Sequence, residues 1–281
     1  MNSIKVRKYQ DTNLSGNFQV VSLDSLLADQ EMYEKLHRHD FYFLLVIQSG
    51  SGIHKIDFTN YSIDDCSVFS LRPGQVHELS LNKSGRGFLI TFNKDFYTPG
   101  KILKENTFRA LFQTNFYKLE VESFNQLYHF LKMILIEDSN KNIGYRESIE
   151  AYLDLFFIQL YRFRNDSIDI KRVNSFESDI IEAYLELLEK DICSHKKVSY
   201  YSKKLNVSPY QLNSITKKML GKTSVELISW QIILESKRNL LATNHQVKEV
   251  AFYLGFSDVS YFIRFFKKHT RLTPKEFRAF Y

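Results

Sequence analysis

Two groups of residues in this chain of 281 residues have the types and spacing to do chemistry. The first is His37, His39 and His77, three imidazoles that could bind iron, manganese or zinc if folding brought them together. Tyr42, His54, Arg72 and His77 form an overlapping group, suited by strand position to line a pocket for a small-molecule effector. The second group is Tyr210, Asn213 and Ser214, with Ser260, Ile263 and Arg264 about fifty positions further on. Asn213 could pair with adenine N6 and N7, Arg264 could fork onto guanine, and Ile263 could touch a thymine methyl. Gln211, Lys217, Lys218, Lys267 and Lys268 suit phosphates, contacts that position a protein without reading sequence. No catalytic residue is assigned.

The elements that must position the second group occur twice. One copy runs Leu205-Asn206-Val207-Ser208-Pro209-Tyr210-Gln211-Leu212 through Lys217-Lys218. The other runs Leu254-Gly255-Phe256-Ser257-Asp258 through Phe262 to Lys267-Lys268, in register fifty positions later from Leu212 and Phe262. Gly255 takes a positive φ freely and Asn206 is the next most tolerant type, so both copies allow a sharp reversal. Ser208-Pro209-Tyr210-Gln211 satisfies a capping box, and Asp258 caps the matching helix. Leu212 and Ile215, and Phe262, Phe265 and Phe266, recur at helical spacing and must face a core, leaving the other face to a partner. Charge names its class. Within 195–281 sixteen Lys or Arg stand against five Asp or Glu, about +11, whereas the whole chain is +6. A basic domain with capped, polar second helices is the electrostatic footprint of DNA binding.

The run Val247-Lys248-Glu249-Val250-Ala251, Leu254-Gly255-Phe256-Ser257-Asp258, Ser260-Tyr261-Phe262, Arg264-Phe265-Phe266-Lys267-Lys268 and Leu272-Thr273-Pro274 with Phe277-Arg278 resembles the signature of AraC/XylS-type transcription regulators. The resemblance covers roughly 175–281 and implies seven helices, two helix-turn-helix units and one connecting helix, with base contacts at the positions named above. The chain departs from the pattern at Arg271, where the family has Gly, and at Ser202 and Ser236, where it has Ala. Arg271 is expected to close a helix in a left-handed conformation, at a cost of about 1 kcal/mol.

Upstream, Phe18-Gln19-Val20-Val21, Phe41–Ile47, Ile53–Phe58, Ser67–Leu71 and Gly87–Phe92 read as strands. Gly50-Ser51-Gly52 is expected to close a hairpin and Arg72-Pro73-Gly74-Gln75 to form a tight turn. Short strands at this spacing point to a small barrel or jelly roll. His37-Arg38-His39-Asp40-Phe41, Gly50-Ser51-Gly52 and Pro73-Gly74-Gln75-Val76-His77 resemble the two motifs of a cupin barrel. Metal-dependent cupins add a Glu shortly after the His pair. Here Asp40 comes too early and Phe41, Tyr42 and Phe43 follow, so the three His are read as remnant or structural residues, serving hydrogen bonds or the rim of a binding pocket, and no metal or cofactor is expected.

From 122 to 164 the period becomes helical: Phe124, Leu127, Tyr128, Leu131, Ile134 and Leu135 form one stripe, and Ile149, Tyr152, Leu153, Phe156, Phe157, Leu160 and Tyr161 another. These two helices match the resembled family's dimerisation element, and the second stripe is broad enough to serve both barrel and partner chain. Asn165 to Ser175 reads as a polar linker. The connecting helix, about Thr223 to Leu241, spans roughly 27 Å at 1.5 Å per residue, short of the roughly 34 Å between successive major-groove segments. That mismatch predicts DNA bending or incomplete engagement of one helix.

The expected architecture is α+β with two domains: a cupin-like β-barrel with a helical dimerisation element over 1–165, a linker over 166–175, and an all-α double helix-turn-helix domain over 176–281. The residues between Met1 and Leu14 carry no apolar run, no stretch of eighteen apolar residues occurs, and Cys66 and Cys193 fall in different domains, so a cytoplasmic protein without disulfides is expected. The expected partners are promoter DNA, RNA polymerase, an effector and a second copy of the chain, with activation more usual than repression in the resembled family. Two other classes stay open: a metal-dependent cupin enzyme, and an architectural protein that binds DNA without sequence preference.

Overall fold

The computed structural model describes residues 5–7, 17–99, 103, 105–166, 175–243 and 245–280. Two compact units emerge, one over Lys5–Lys171 and one built on Arg172–Tyr281. The linker expected at 166–175 lies largely outside the described residues: Asp166 ends one helix and Ser175 starts the next.

Among the described residues of the first unit the strands are β1 (Lys5–Arg7), β2 (Phe18–Ser22), β3 (Met32–His39), β4 (Tyr42–Ser49), β5 (Gly52–Ile56), β6 (Thr59–Ile63), β7 (Ser67–Leu71), β8 (Val76–Leu81), β9 (Arg86–Phe92) and β10 (Phe116–Lys118). They make two five-stranded sheets, β1-β3-β8-β5-β6 and β10-β7-β4-β9-β2. The space between them is filled by Phe43, Leu45 and Ile47 from β4, Phe69 and Leu71 from β7, Ile56, and Leu79 and Leu81 from β8, with Leu23 and Leu27 of the short helix α1 (Leu23–Leu27).

Three sequence expectations change here. The stretch Gly50-Ser51-Gly52 closes no hairpin, because β4 pairs with β7 and β9 whereas β5 pairs with β6 and β8. It carries the chain from one sheet to the other. Gly52 passes so near β8 that a Cβ would stand 2.1 Å from the Ser80 carbonyl oxygen. The hairpin lies instead between β5 and β6, where Asp57 and Phe58 both take positive φ, 44° and 71°, as a two-residue primed turn requires. The expected strand Ile53–Phe58 therefore stops at Ile56. Strands β1, β3, β6, β8 and β10 were not expected. β3 mixes charge with apolar residues, and β6 is a short polar edge strand. At Arg72-Pro73-Gly74-Gln75 the turn forms as expected, with Gly74 at φ 87° and the Gln75 N–H on the Arg72 carbonyl oxygen.

The outer face of the second sheet is covered by α2 (Glu105–Gln113), α3 (Val121–Asn140) and α4 (Tyr145–Asp166). In the first stripe Phe124, Leu127, Tyr128, Leu131 and Ile134 are buried. In the second, Ile149, Leu153, Phe156, Phe157 and Leu160 are each fully buried within this unit. These five pack into the unit's own core, whereas Tyr152 and Tyr161 of the same stripe are half-buried. Outside the stripe, Leu155 of α4 is exposed.

The second unit holds α5 (Ser175–Asp191), α6 (Val198–Lys204), α7 (Pro209–Leu220), α8 (Ser224–Ala242), α9 (Val247–Tyr253), α10 (Val259–Thr270) and α11 (Pro274–Phe280). These are the seven helices that the resemblance implied. Ile180, Tyr184 and Leu188 of α5 are buried, and the Tyr184 hydroxyl donates to the Ser224 carbonyl at 2.8 Å, tying the first helix to the start of α8. Among the described residues no helix is long and apolar enough to cross a membrane. Cys66 and Cys193 are both free thiols.

Candidate nucleic-acid interface and a histidine cluster

The two helix pairs α6–α7 and α9–α10 are built alike, for reasons carried by single residues. α6 ends with the Val207 N–H on the Ser202 carbonyl and the Asn206 N–H on the Lys203 carbonyl; α9 ends with Phe256 on Ala251 and Gly255 on Phe252. This double closure needs one left-handed residue, and Asn206 (φ 54°) and Gly255 (φ 71°) supply it. Ser202 and Ser236, the polar replacements for Ala, are buried but donate to carbonyls of their own helices, Ser199 and Ile232.

α7 then opens on the capping box: Ser208 Oγ accepts from the Gln211 N–H, and Gln211 Oε1 accepts from the Ser208 N–H at 2.9 Å. Gln211 is therefore engaged at the helix start rather than held out toward a phosphate. α10 opens with Asp258 accepting from the Ser260 N–H at 2.8 Å. The two helices close on matched left-handed residues, Gly221 (φ 68°) and Arg271 (φ 65°), each donating its N–H to the fourth residue back. Arg271 thus stands in the conformation expected of it.

Leu212, Ile215 and Thr216, and Phe262 and Phe266, are buried. On the opposite side Tyr210, Ser214, Lys217, Ser260, Arg264, Lys267 and Lys268 are exposed, with Tyr210 at 83%. Ile263 is half-buried. Two residues have structural duties the sequence did not reveal. Asn213 Oδ1 accepts the Ser224 N–H at 3.2 Å, fixing α7 to α8, and a bidentate adenine contact needs that oxygen. Lys218 forms an ion pair with Glu177 at 2.6 Å, which competes with any phosphate contact.

The sequence reading also missed a cationic cleft of about 560 Å³, lined by His195, Lys196, Lys197, Tyr200 and Lys203 with Gly255 at its edge. Lys196 Nζ donates to the Cys193 and Gly255 carbonyls and sits over the Phe256 ring. Burial lowers its pKa from the usual lysine value. The lysine run before α6 was visible in the sequence, but its proximity to a turn sixty residues on was not.

In the first unit the effector group divides. Tyr42 faces the helix-covered side of its sheet, packed on Phe92, Phe108 and Phe112. Arg72 donates to the Phe112 carbonyl at 3.1 Å. His54 and His77 lie on the inner side, buried at 0% and 1% exposure. The four residues therefore do not line one pocket. What the fold brings together instead is His37, His39, His54 and His77. His39 Nε2 lies 3.2 Å from His37 Nε2 and 2.7 Å from His77 Nε2, and His77 Nδ1 lies 2.9 Å from His54 Nε2. Burial first, then the nearby His37, hold the His54 pKa down at about 3, so this ring is neutral at ordinary pH.

Comparison with known proteins agrees with this architecture. Residues 25–157 match the family model of an AraC-like ligand binding domain, and residues 201–279 that of a helix-turn-helix domain. The HTH-type transcriptional activator RhaR of Mannheimia succiniciproducens is 23% identical over 87% of each chain. RhaS of Pectobacterium carotovorum, also described as an HTH-type transcriptional activator, is 22% identical over 86% of each. ToxT from Vibrio cholerae O395, a solved structure, is 19% identical, with a TM-score of 0.43 over 94% of this chain and 97% of that one. With a ligand-binding-type barrel in one unit and paired helix-turn-helix elements with matching left-handed closures in the other, the chain belongs to the AraC/XylS-type transcription regulators.

Proposed function

We propose that this regulator, rather than an enzyme, is a cytoplasmic activator that binds promoter DNA as a homodimer and acts on RNA polymerase. Its proposed domains are those read from the sequence, 1–165 and 176–281, joined by a linker over 166–175. The observation that carries the reading is the pair of capped helices α7 and α10, each burying one face and presenting exposed polar and cationic residues on the other.

Tyr210 and Ser214 on α7, and Ser260, Ile263 and Arg264 on α10, read bases, while Lys217, Lys267 and Lys268 hold phosphates. Asn213 keeps α7 seated on α8, and Lys218 does the same toward α5. The cationic cleft at Lys196, Lys197 and Lys203 adds phosphate contacts. α8, at 19 residues, spans about 28 Å at about 1.5 Å per residue. This is short of the roughly 34 Å between successive major-groove segments, so either the DNA bends or one recognition helix engages incompletely. Dimerisation uses α3 and α4, and an effector acts through the first unit.

Selection of bound duplexes from a random pool by the full chain tests the reading. Recovery of two conserved half-sites about one helical turn apart is expected. An unenriched pool, with the same affinity for every sequence, would remove base reading and leave an architectural role.

A further inference from the structure

The chain has eight histidines, and they divide evenly. His129, His195, His245 and His269 are exposed, whereas His37, His39, His54 and His77 are at most 6% exposed and lie in contact with one another. Strand geometry makes the cluster. His37 and His39 alternate onto one face of β3, and His77 of β8 stands directly opposite His37 in the antiparallel ladder. His54 of β5 sits diagonal to His77, whose own partner is Ile56. The cluster is walled by Phe43, which stacks on His39 and packs on His54 and His77, and by Phe41 and Phe69.

The ring nitrogens are arranged by role. His37 Nδ1 lies 2.6 Å from the Lys35 carbonyl oxygen, which can only accept, so Nδ1 carries the proton and Nε2 presents a lone pair to the cluster. His77 turns Nδ1 to His54 and Nε2 inward. The Nε2 atoms of His37 and His77 therefore both approach His39 Nε2, and one nitrogen from each of the three residues lies within 4.8 Å of the others. Zinc–nitrogen bonds of about 2.0–2.1 Å place tetrahedral ligand atoms about 3.3 Å apart. The 3.2 Å separation nearly equals that spacing and the 2.7 Å one is shorter, so the His39 and His77 rings must rotate slightly apart to admit an ion. A ligating imidazole usually donates its other N–H to a carbonyl or a second acceptor. The Lys35 carbonyl does this for His37, and His54 Nε2 is placed to do so for His77.

We propose that His37, His39 and His77 hold one divalent first-row transition ion of the zinc type through Nε2, and that His54 orients His77 without touching the ion. Three neutral imidazoles without a carboxylate match the three-His zinc set, which keeps a fourth position for water or a small anion. The missing cupin Glu, which argued against a metal in the sequence, is not needed by this set.

The test uses the full chain, stripped with chelator, dialysed, and offered zinc or cobalt(II). About one equivalent per chain is expected after gel filtration, with a tetrahedral cobalt absorption spectrum and a rise in Tm that chelator reverses. A variant with the four exposed histidines changed to Gln keeps the ion. His39→Gln and His77→Gln lose it, and His54→Gln keeps the stoichiometry with affinity lowered about 10–100-fold. Less than about a tenth of an equivalent on the unaltered chain overturns the proposal, and so does loss of the ion from the variant lacking the exposed histidines. These two measurements decide the matter even if the buried variants do not fold.

Discussion

Gly221 and Gly255 have nearly the same backbone conformation, φ 68° and 71°, yet their substitution should differ severalfold in cost. A Cβ on Gly221 meets nothing within 4 Å, so Gly221→Ala incurs only the left-handed penalty of an L-residue, about 1 kcal/mol. A Cβ on Gly255 would stand 2.2 Å from the Cys193 carbonyl oxygen and 2.7 Å from Lys196 Nζ. The lysine tip can swing away, but the carbonyl belongs to the turn that joins α5 to α6, and that turn must move. Overpacking of this kind adds about 1–3 kcal/mol, giving about 2–4 kcal/mol in all for Gly255→Ala. Trp230, the chain's single tryptophan, lies on α8 and reports unfolding of this unit alone, so urea titration followed by its fluorescence is the assay. With a urea slope of about 1–3 kcal/mol per molar, Gly255→Ala should lower the midpoint two- to fourfold further than Gly221→Ala. Equal shifts would mean that the α5–α6 turn does not press on Gly255, and that the close approach carries no energetic weight.

Arg271→Gly removes a strained left-handed residue at the end of α10, so it should raise the Tm of the same unit by several degrees, about 1 kcal/mol in a domain of this size; an unchanged or lower Tm refutes it. Glu226 and Glu276 accept hydrogen bonds from Thr223 and Thr273, which hold their pKa values below the usual 4.5. Their contribution is therefore fully present above about pH 4.5 and lost as pH falls through the lowered values. A Glu226→Gln, Glu276→Gln variant should show a shallower fall of the urea midpoint below pH 4.5, and an unaltered profile would count against these caps. On DNA, Arg264→Ala should relax preference at one base pair, whereas Lys267→Ala should weaken every sequence and reduce the salt slope by about one unit; identical behaviour of the two would cancel the assignment of roles.

The helix-turn-helix units were legible because their determinants are local. A positive-φ residue, a cap two or three positions on, and apolar residues three and four apart lie within one short segment, and they are found in place except for Phe265, which is half-buried. The features that escaped depend on pairing across the chain. Asn213 looked available because its partner, the Ser224 N–H, is eleven residues away on the next helix. The supposed hairpin at Gly50-Ser51-Gly52 failed because a turn sequence fixes a reversal of direction but not which sheet receives the next strand.

The grouping of Tyr42 with His54 and His77 failed for a reason that strand periodicity already contains. Phe43 points between the sheets and meets His39, His54 and His77, and its neighbour Tyr42 must then point the other way, toward Phe92 and Phe112. Parity along β4 is enough to separate the two sets. The converse inference, that His54 belongs with His37, His39 and His77, needs the β3-β8-β5 order, which no local pattern encodes. The absence of a Glu after the His pair bore only on the four-ligand set that contains it. Once strand pairing supplies a fourth imidazole behind His77, the missing carboxylate restricts the kind of centre that can form, and the three converging nitrogens become its strongest feature.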